Sequence, residues 1–283
     1  MGALVRLGAR FGKPYLPLAM AAVVLVLAAC NGPVPTVEQR AAEDKSSRVE
    51  QILRVADVTA RSGDMASAVS LYKRAHAIDP TAPKPLIGLG WTASRIGQPA
   101  EAAEAFRQAI ALDPSNIEAR LGYGNALLGL NRPDLAAPEF GNAIVINKND
   151  HRGYNGLGVA QDLMGNHESA QQTYRKGLEI DPQNVPLRNN LGLSLALSED
   201  FNGAIRELRD VVVAPEATVR NRLNLALVYG LSGDVIKASE IARKDLTATQ
   251  VRNNLLYYQK LRALPDKARS AAVLAGPVVQ PEE

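Results

Sequence analysis

An all-α solenoid of six stacked helix pairs, closed by one further helix, is the fold this sequence predicts, and three observations predict it. Ala68, Ala102, Ala136, Ala170, Ala204 and Ala238 recur every 34 residues without a slip. In the same register stand Gly63, Gly97, Gly165 and Gly233, and the aromatics Tyr72, Phe106, Phe140 and Tyr174 follow four residues past the alanines. Asp-Pro pairs at 79/80, 113/114 and 181/182 close the same unit. A unit of this length cannot bury its own apolar face, so neighbours must stack and the end units are atypical.

Each recurring residue type has a packing reason. Gly90, Gly124, Gly158, Gly192 and Ala226 fall on the first helix of a pair, helix A, where a small side chain admits helix B of the same pair. The alanines do the same from helix B. The aromatics fill the space between helix B and the next pair, and Asp-Pro ends helix B because proline has no N–H to donate. Ser115 and Glu118 read as a capping box for the next helix. Together these residues resemble the tetratricopeptide repeat (TPR), and the resemblance implies a superhelical solenoid whose concave face is lined by the A helices.

Six repeats run from residue 49 to about 246, inside a solenoid assigned to residues 47–262. The first is loose, with Thr59 where larger groups stand elsewhere. In the third, Lys148 replaces the closing proline, and Pro138 falls inside helix B, where it is expected to kink or delay the helix. In the last two, Leu208 and Ala242 take the aromatic position and Pro215 comes one residue early. A helix near 248–262 presents Val251, Leu255, Tyr258 and Leu261 along one side and reads as the cap. Residues 263–283, with three prolines and few large apolar groups, read as a flexible tail.

The N-terminus carries a different signal. Arg6, Arg10 and Lys13 precede an uncharged stretch, residues 15–29, too short for a comfortable membrane span and interrupted by Pro17. This reads as a secretory signal over residues 1–29. It ends in Leu27-Ala28-Ala29-Cys30, which resembles the bacterial lipobox, and Cys30 is the only cysteine. The resemblance implies cleavage before Cys30 and acylation of its sulfur and new amino group. Acyl chains contribute about 0.8 kcal/mol per buried methylene, so several of them hold a protein on a membrane without a span. Asn31 follows Cys30, which by the same resemblance implies sorting to the outer membrane, facing the periplasm. Residues 30–46, with two prolines and mixed charge, read as a tether that sets reach. Without residues 1–29 the chain holds 29 basic and 29 acidic residues, so no electrostatic footprint for nucleic acid remains.

Enzymatic chemistry finds little support. Gly88-Leu-Gly90-Trp-Thr-Ala93 fits a degenerate dinucleotide fingerprint, but that loop must follow a strand, and this one lies inside helix A. His76, His151 and His167 stand at unrelated repeat positions without metal-ligand spacing. No phosphate loop, nucleophile elbow or HExxH is present. No cofactor, metal or small-molecule substrate is therefore expected.

Recognition by the concave face remains. One residue past the small A-helix position stand Trp91, Asn125, Val159, Leu193 and Leu227; one turn earlier come Asn155 and Asn189, and near the helix starts Lys84, Arg152 and Arg220. Asparagine amides bond a peptide backbone, apolar neighbours seat its side chains, and cations meet a carboxylate. The alternative is that Val159, Leu193 and Leu227 only pack between adjacent A helices. Trp91, the only tryptophan, is the expected anchor.

Lipobox, six repeats and the closing segment QVRNNLLYYQKLR at 250–262 together resemble the TadD family, the TPR lipoproteins of Tad (Flp) pilus assembly. The resemblance implies protein partners among pilus-assembly components, the outer-membrane secretin foremost. A pilotin-like factor of another type IV pilus or secretion system, an adaptor for peptidoglycan hydrolases, and a subunit of an outer-membrane assembly machine are the alternatives.

Overall fold

The structure, a computed structural model, describes residues 36–275, and the chain divides into two units, Met1–Arg48 and Val49–Glu283. The expected signal peptide and Cys30 lie outside the described residues. In the first unit, residues 37–48 form the start of helix α1 (Val37–Ser62), so the expected tether is helical from Val37 onward.

The second unit is a stack of helix pairs. After α1 come α2 (Met65–Ile78), α3 (Pro83–Arg95), α4 (Pro99–Leu112), α5 (Ile117–Gly129), α6 (Pro133–Ile146), α7 (His151–Leu163), α8 (His167–Ile180), α9 (Val185–Leu197), α10 (Phe201–Val213), α11 (Val219–Ser232) and α12 (Val235–Ala242). Then follow α13 (Ala248–Arg262) and α14 (Asp266–Ala275). From α3 on, each odd helix touches the next odd one, whereas even helices do not touch one another. The odd, A-type helices therefore form the inner layer and the even helices from α2 to α12 the outer one.

Glycine against an aromatic ring makes this layering possible. The six periodic alanines are all 0 % exposed, so helix B meets helix A at the smallest separation a side chain permits. A Cβ added at Gly90 would stand 2.7 Å from the Phe106 ring, and one added at Gly122 only 2.3 Å from the same ring. Phe140 lies likewise between Gly124 and Gly156, while Tyr72 abuts Gly88 and Tyr174 abuts Gly158. Phe106 and Phe140 are thus each held by one glycine of their own pair and one of the next, so no pair packs independently of its neighbour.

The turn between A and B is left-handed in every repeat. Gly63, Gly97, Gly165 and Gly233 have φ of +95, +72, +85 and +93°, and Asn131 and Glu199 take the same place at +56 and +65°. Glu199 carries a side chain where glycine is the favoured residue. Most helix starts are capped locally. Asn116 accepts from Ala119 N, and Thr218 with Asn221 and Thr247 with Gln250 form capping boxes. The Ser115–Glu118 box expected from sequence does not form, because the Ser115 hydroxyl donates to Asp113 (2.7 Å) and Asn116 is the cap.

Two further expectations change. Helix α6 runs from Pro133 to Ile146 through Pro138, which lies early in the helix and leaves only the Asp134 carbonyl without its helical donor. The expected tail is partly ordered. Residues 266–275 form α14, with Ser270 and Val273 fully buried against α7 and α9. Few large apolar residues suffice because the inner layer supplies the apolar partner.

The glycine–ring contact gives opposite outcomes for one substitution at two sites. Gly122→Ala should lower stability by about 1–3 kcal/mol through overpacking against Phe106. Gly141→Ala, in helix α6 with nothing within 4 Å of the new Cβ, should raise it by about 0.5–1 kcal/mol. Urea denaturation followed by circular dichroism reads both.

Candidate partner groove

Because Gly90 faces Phe106, the next residue, Trp91, turns to the inner layer, where its ring meets the edge of Phe106 at 5.2 Å and 76°. It lines a cavity of about 630 Å³ with Leu53, Asp57 and Arg61 of α1 and Lys84, Ile87 and Arg95 of α3. Tyr72 donates its hydroxyl to Asp57 at 2.5 Å, and burial, reinforced by that carboxylate, pushes the phenol's pKa up. Arg95 donates to the Ala60 carbonyl at 3.1 Å. Lys84 is exposed on the first turn of α3 and has no carboxylate partner among the described residues.

Trp91 also lines a second cavity, of about 270 Å³, with Leu121, Asn125, Arg152 and Asn155. Asn125 is exposed and available. Arg152 is not a free cation: its guanidinium meets Asp150 and Glu118, each at 2.7 Å, and these carboxylates raise its pKa further. Pro186 joins this cavity to a third, of about 530 Å³, lined by Val159, Asn189, Leu193, Arg220, Asn224 and Leu274. The expected groove residues therefore fall on three linked hollows along the odd helices.

The asparagines differ in availability. Asn189 is only 8 % exposed, and its carbonyl oxygen accepts from Asn221 (3.1 Å) and Asn224 (2.9 Å). Its amide donates to Asn190, whose amide donates in turn to Asn155 at 2.9 Å. This chain of amides ties α7, α9 and α11 together. Asn190 and Asn224 stand where earlier repeats have the glycines Gly122 and Gly156, so amides join α7, α9 and α11, while Gly230 of α11 keeps a glycine–ring contact with Tyr258 of α13. Sequence reading picked Asn155 and Asn189 but missed Asn190, Asn221 and Asn224; for Asn190 and Asn224 the signal was asparagine in a glycine register.

The C-terminal half of the inner face is occupied by the chain itself. Val273 of α14 joins the apolar cluster containing Leu193 and Leu227, with Val159, Ala272 and Leu274 packed around it. Arg220, expected to meet a carboxylate, donates instead to the Ala275 carbonyl at 2.8 Å, at the negative end of the α14 dipole. Val159, Leu193 and Leu227 thus pack in the core cluster that also takes up the chain's own helix.

Beneath α14 lies a buried polar knot. Asp162 is 0 % exposed and accepts from Ser194 Oγ (2.7 Å) and the Tyr174 hydroxyl (3.0 Å), while its Oδ1 lies 2.8 Å from His167 Nδ1. Ser270 Oγ stands 3.4 Å from His167 Nε2, which gives the connectivity of a hydrolytic triad. Ser270 is buried and its hydroxyl is spent on the Asp266 carbonyl at 2.8 Å, so no substrate can reach it. The knot is structural. Burial raises the Asp162 pKa, against the opposing pull of His167, Ser194 and Tyr174. Among the described residues no group of three His, Cys, Asp or Glu side chains could hold a metal ion. The Gly88–Ala93 run is helical, inside α3.

Comparison with known proteins agrees with this geometry. Tetratricopeptide-repeat models match residues 48–115, 87–152 and 151–184. The fold is a tetratricopeptide-repeat solenoid, a class of protein-interaction scaffold. A search of the curated proteins finds no significant match. Among solved structures the chain is similar to PilW, described as a widely conserved type IV pilus biogenesis factor, at 19 % identity and a TM-score of 0.61, over 80 % of this chain and 98 % of that one. PilF of Pseudomonas aeruginosa aligns at 16 % identity and a TM-score of 0.59, over 82 % and 99 %. MamA aligns at 25 % identity and a TM-score of 0.52, over 58 % and 90 %.

Asp162 makes stability depend on pH. A carboxyl whose pKa is raised by folding stabilises the native state below the ordinary value of 3.8, and that contribution is lost as pH rises through the raised value. The native chain should therefore exceed Asp162→Asn in stability most at pH 4 and least at pH 8, as read from urea midpoints. A margin that grows with pH would mean that His167 outweighs burial.

Proposed function

We propose that the protein is a lipid-anchored, non-enzymatic scaffold of the outer membrane that faces the periplasm and assists assembly of a Tad (Flp) pilus, holding a segment of a secretin or another pilus-assembly component in its inner groove. The observation that carries this reading is the open groove around Trp91, where two cavities meet on the odd helices. Its lining defines the ligand. Trp91, Ile87 and Leu53 seat an apolar side chain, while Lys84 and Arg61 favour an acidic residue beside it.

Two further facts support the assignment. PilW and PilF align over about four-fifths of the chain, whereas MamA aligns over 58 %, so the likeness to the pilus proteins extends over more of the repeat array. The Leu27-Ala28-Ala29-Cys30 sequence, which resembles a lipobox, supports the anchor.

Full-length protein captured from its own membranes should bring down a secretin or another pilus-assembly component. Trp91→Ala should reduce that capture about 30-fold, the weight of a ~2 kcal/mol anchor, with unchanged helicity. Recovery of peptidoglycan hydrolases instead, with normal secretin multimers in a deletion strain, would overturn the pilus reading. Cys30→Ala should abolish palmitate labelling and release the protein from the membrane fraction; label retained on the variant would overturn the anchor.

A further inference from the structure

The groove continues from the open part around Trp91 into the part filled by α14, since Pro186 borders both the second and third cavities. The filled part differs from a repeat interface in three ways. Only Ser270 and Val273 of the ten residues of α14 are fully buried, while Ala271 and Ala275 are exposed. The residues joining α14 to α13, Ala263, Leu264 and Pro265, are all exposed. A space of about 530 Å³ stays open at the end of α14, beside Leu274 and Asn224, and the buried Asn224 Oδ1 has no hydrogen-bond partner.

A ten-residue helix is not stable alone in water. It exists here because the groove supplies Val159 and Leu193 for Val273 and Leu274, and because Arg220 meets its last carbonyl. That is the chemistry by which a helix-in-groove site holds an amphipathic ligand.

We propose that the surface of α7, α9 and α11 under α14 is a second binding site, for a short helix of a partner protein, and that α14 is a tethered competitor that leaves when the partner helix enters. The ligand helix carries a small residue, Ser or Ala, and a Val or Leu three positions later, with its C-terminal carbonyls against Arg220. Its partner enters the same groove that the proposed function assigns to a pilus component, but the site is defined by α14 and not by that assignment. A short tether gives α14 an effective concentration of about a millimolar, so a free helix competes only weakly until α14 is released.

The test uses a fluorescein-labelled peptide of residues 264–275 and the full chain. Val273→Glu should release α14 and bind the peptide at least tenfold more tightly than the native chain does, and adding Val159→Glu should abolish that binding. In the native chain, hydrogen exchange should be at least tenfold faster in α14 than in α11. Equally weak peptide binding by native and Val273→Glu chains, or protection of α14 equal to that of α11, would make α14 a fixed cap and overturn the proposal. If Val273→Glu does not fold, the exchange measurement on the native chain decides alone. The peptide holds no pilus component, so this outcome is separate from capture at Trp91.

Discussion

Everything in this molecule depends on aromatic rings pressed between glycines of successive inner helices. Phe106 touches the backbone at Gly90 and Gly122, and Phe140 does the same at Gly124 and Gly156. A side chain at any of these points would push the pairs apart, and with them the register that puts Trp91 and Asn125 on the inner face. The proposed binding surface is thus a by-product of the packing: the residue beside each small position turns to the inner layer.

The contact is interrupted between α9 and α11 and returns where Gly230 of α11 meets the Tyr258 ring of α13, and the structure changes accordingly. Leu208 replaces the ring, Asn190 and Asn224 replace the glycines, and a chain of amide hydrogen bonds from Asn155 to Asn224 takes over the joining of inner helices. There the inner face also acquires an apolar covering in α14. At the N-terminal end, where rings and glycines persist, it stays open. One solenoid therefore offers two surfaces, one free and one covered by its own chain.

Much of this was legible in the sequence. The fixed 34-residue spacing gave the repeat, and the identity of each recurring residue gave its packing role, because glycine, alanine and aromatics have few reasons to recur together. The groove positions followed from being one residue past the small site. What the sequence did not reveal depended on distant partners. Helix α14 has a weak apolar signature of its own and is fixed by α7 and α9, which lie about a hundred residues earlier. Arg152 looked like a free cation until Glu118, one repeat away, was found against it, and Arg220 until Ala275 met it. Ser115 lost its cap role to a neighbour with equal capping chemistry, a choice local sequence leaves open.

The claim that the inner face of the odd helices is where partners bind is tested most directly by site-specific photocrosslinking of the full-length protein in living cells. A photoreactive residue at position 91 should yield a discrete adduct containing a pilus-assembly component, and one at Lys176, exposed on the outer helix α8, should yield none. The same adducts from both positions, or an adduct from position 176 alone, would contradict the account.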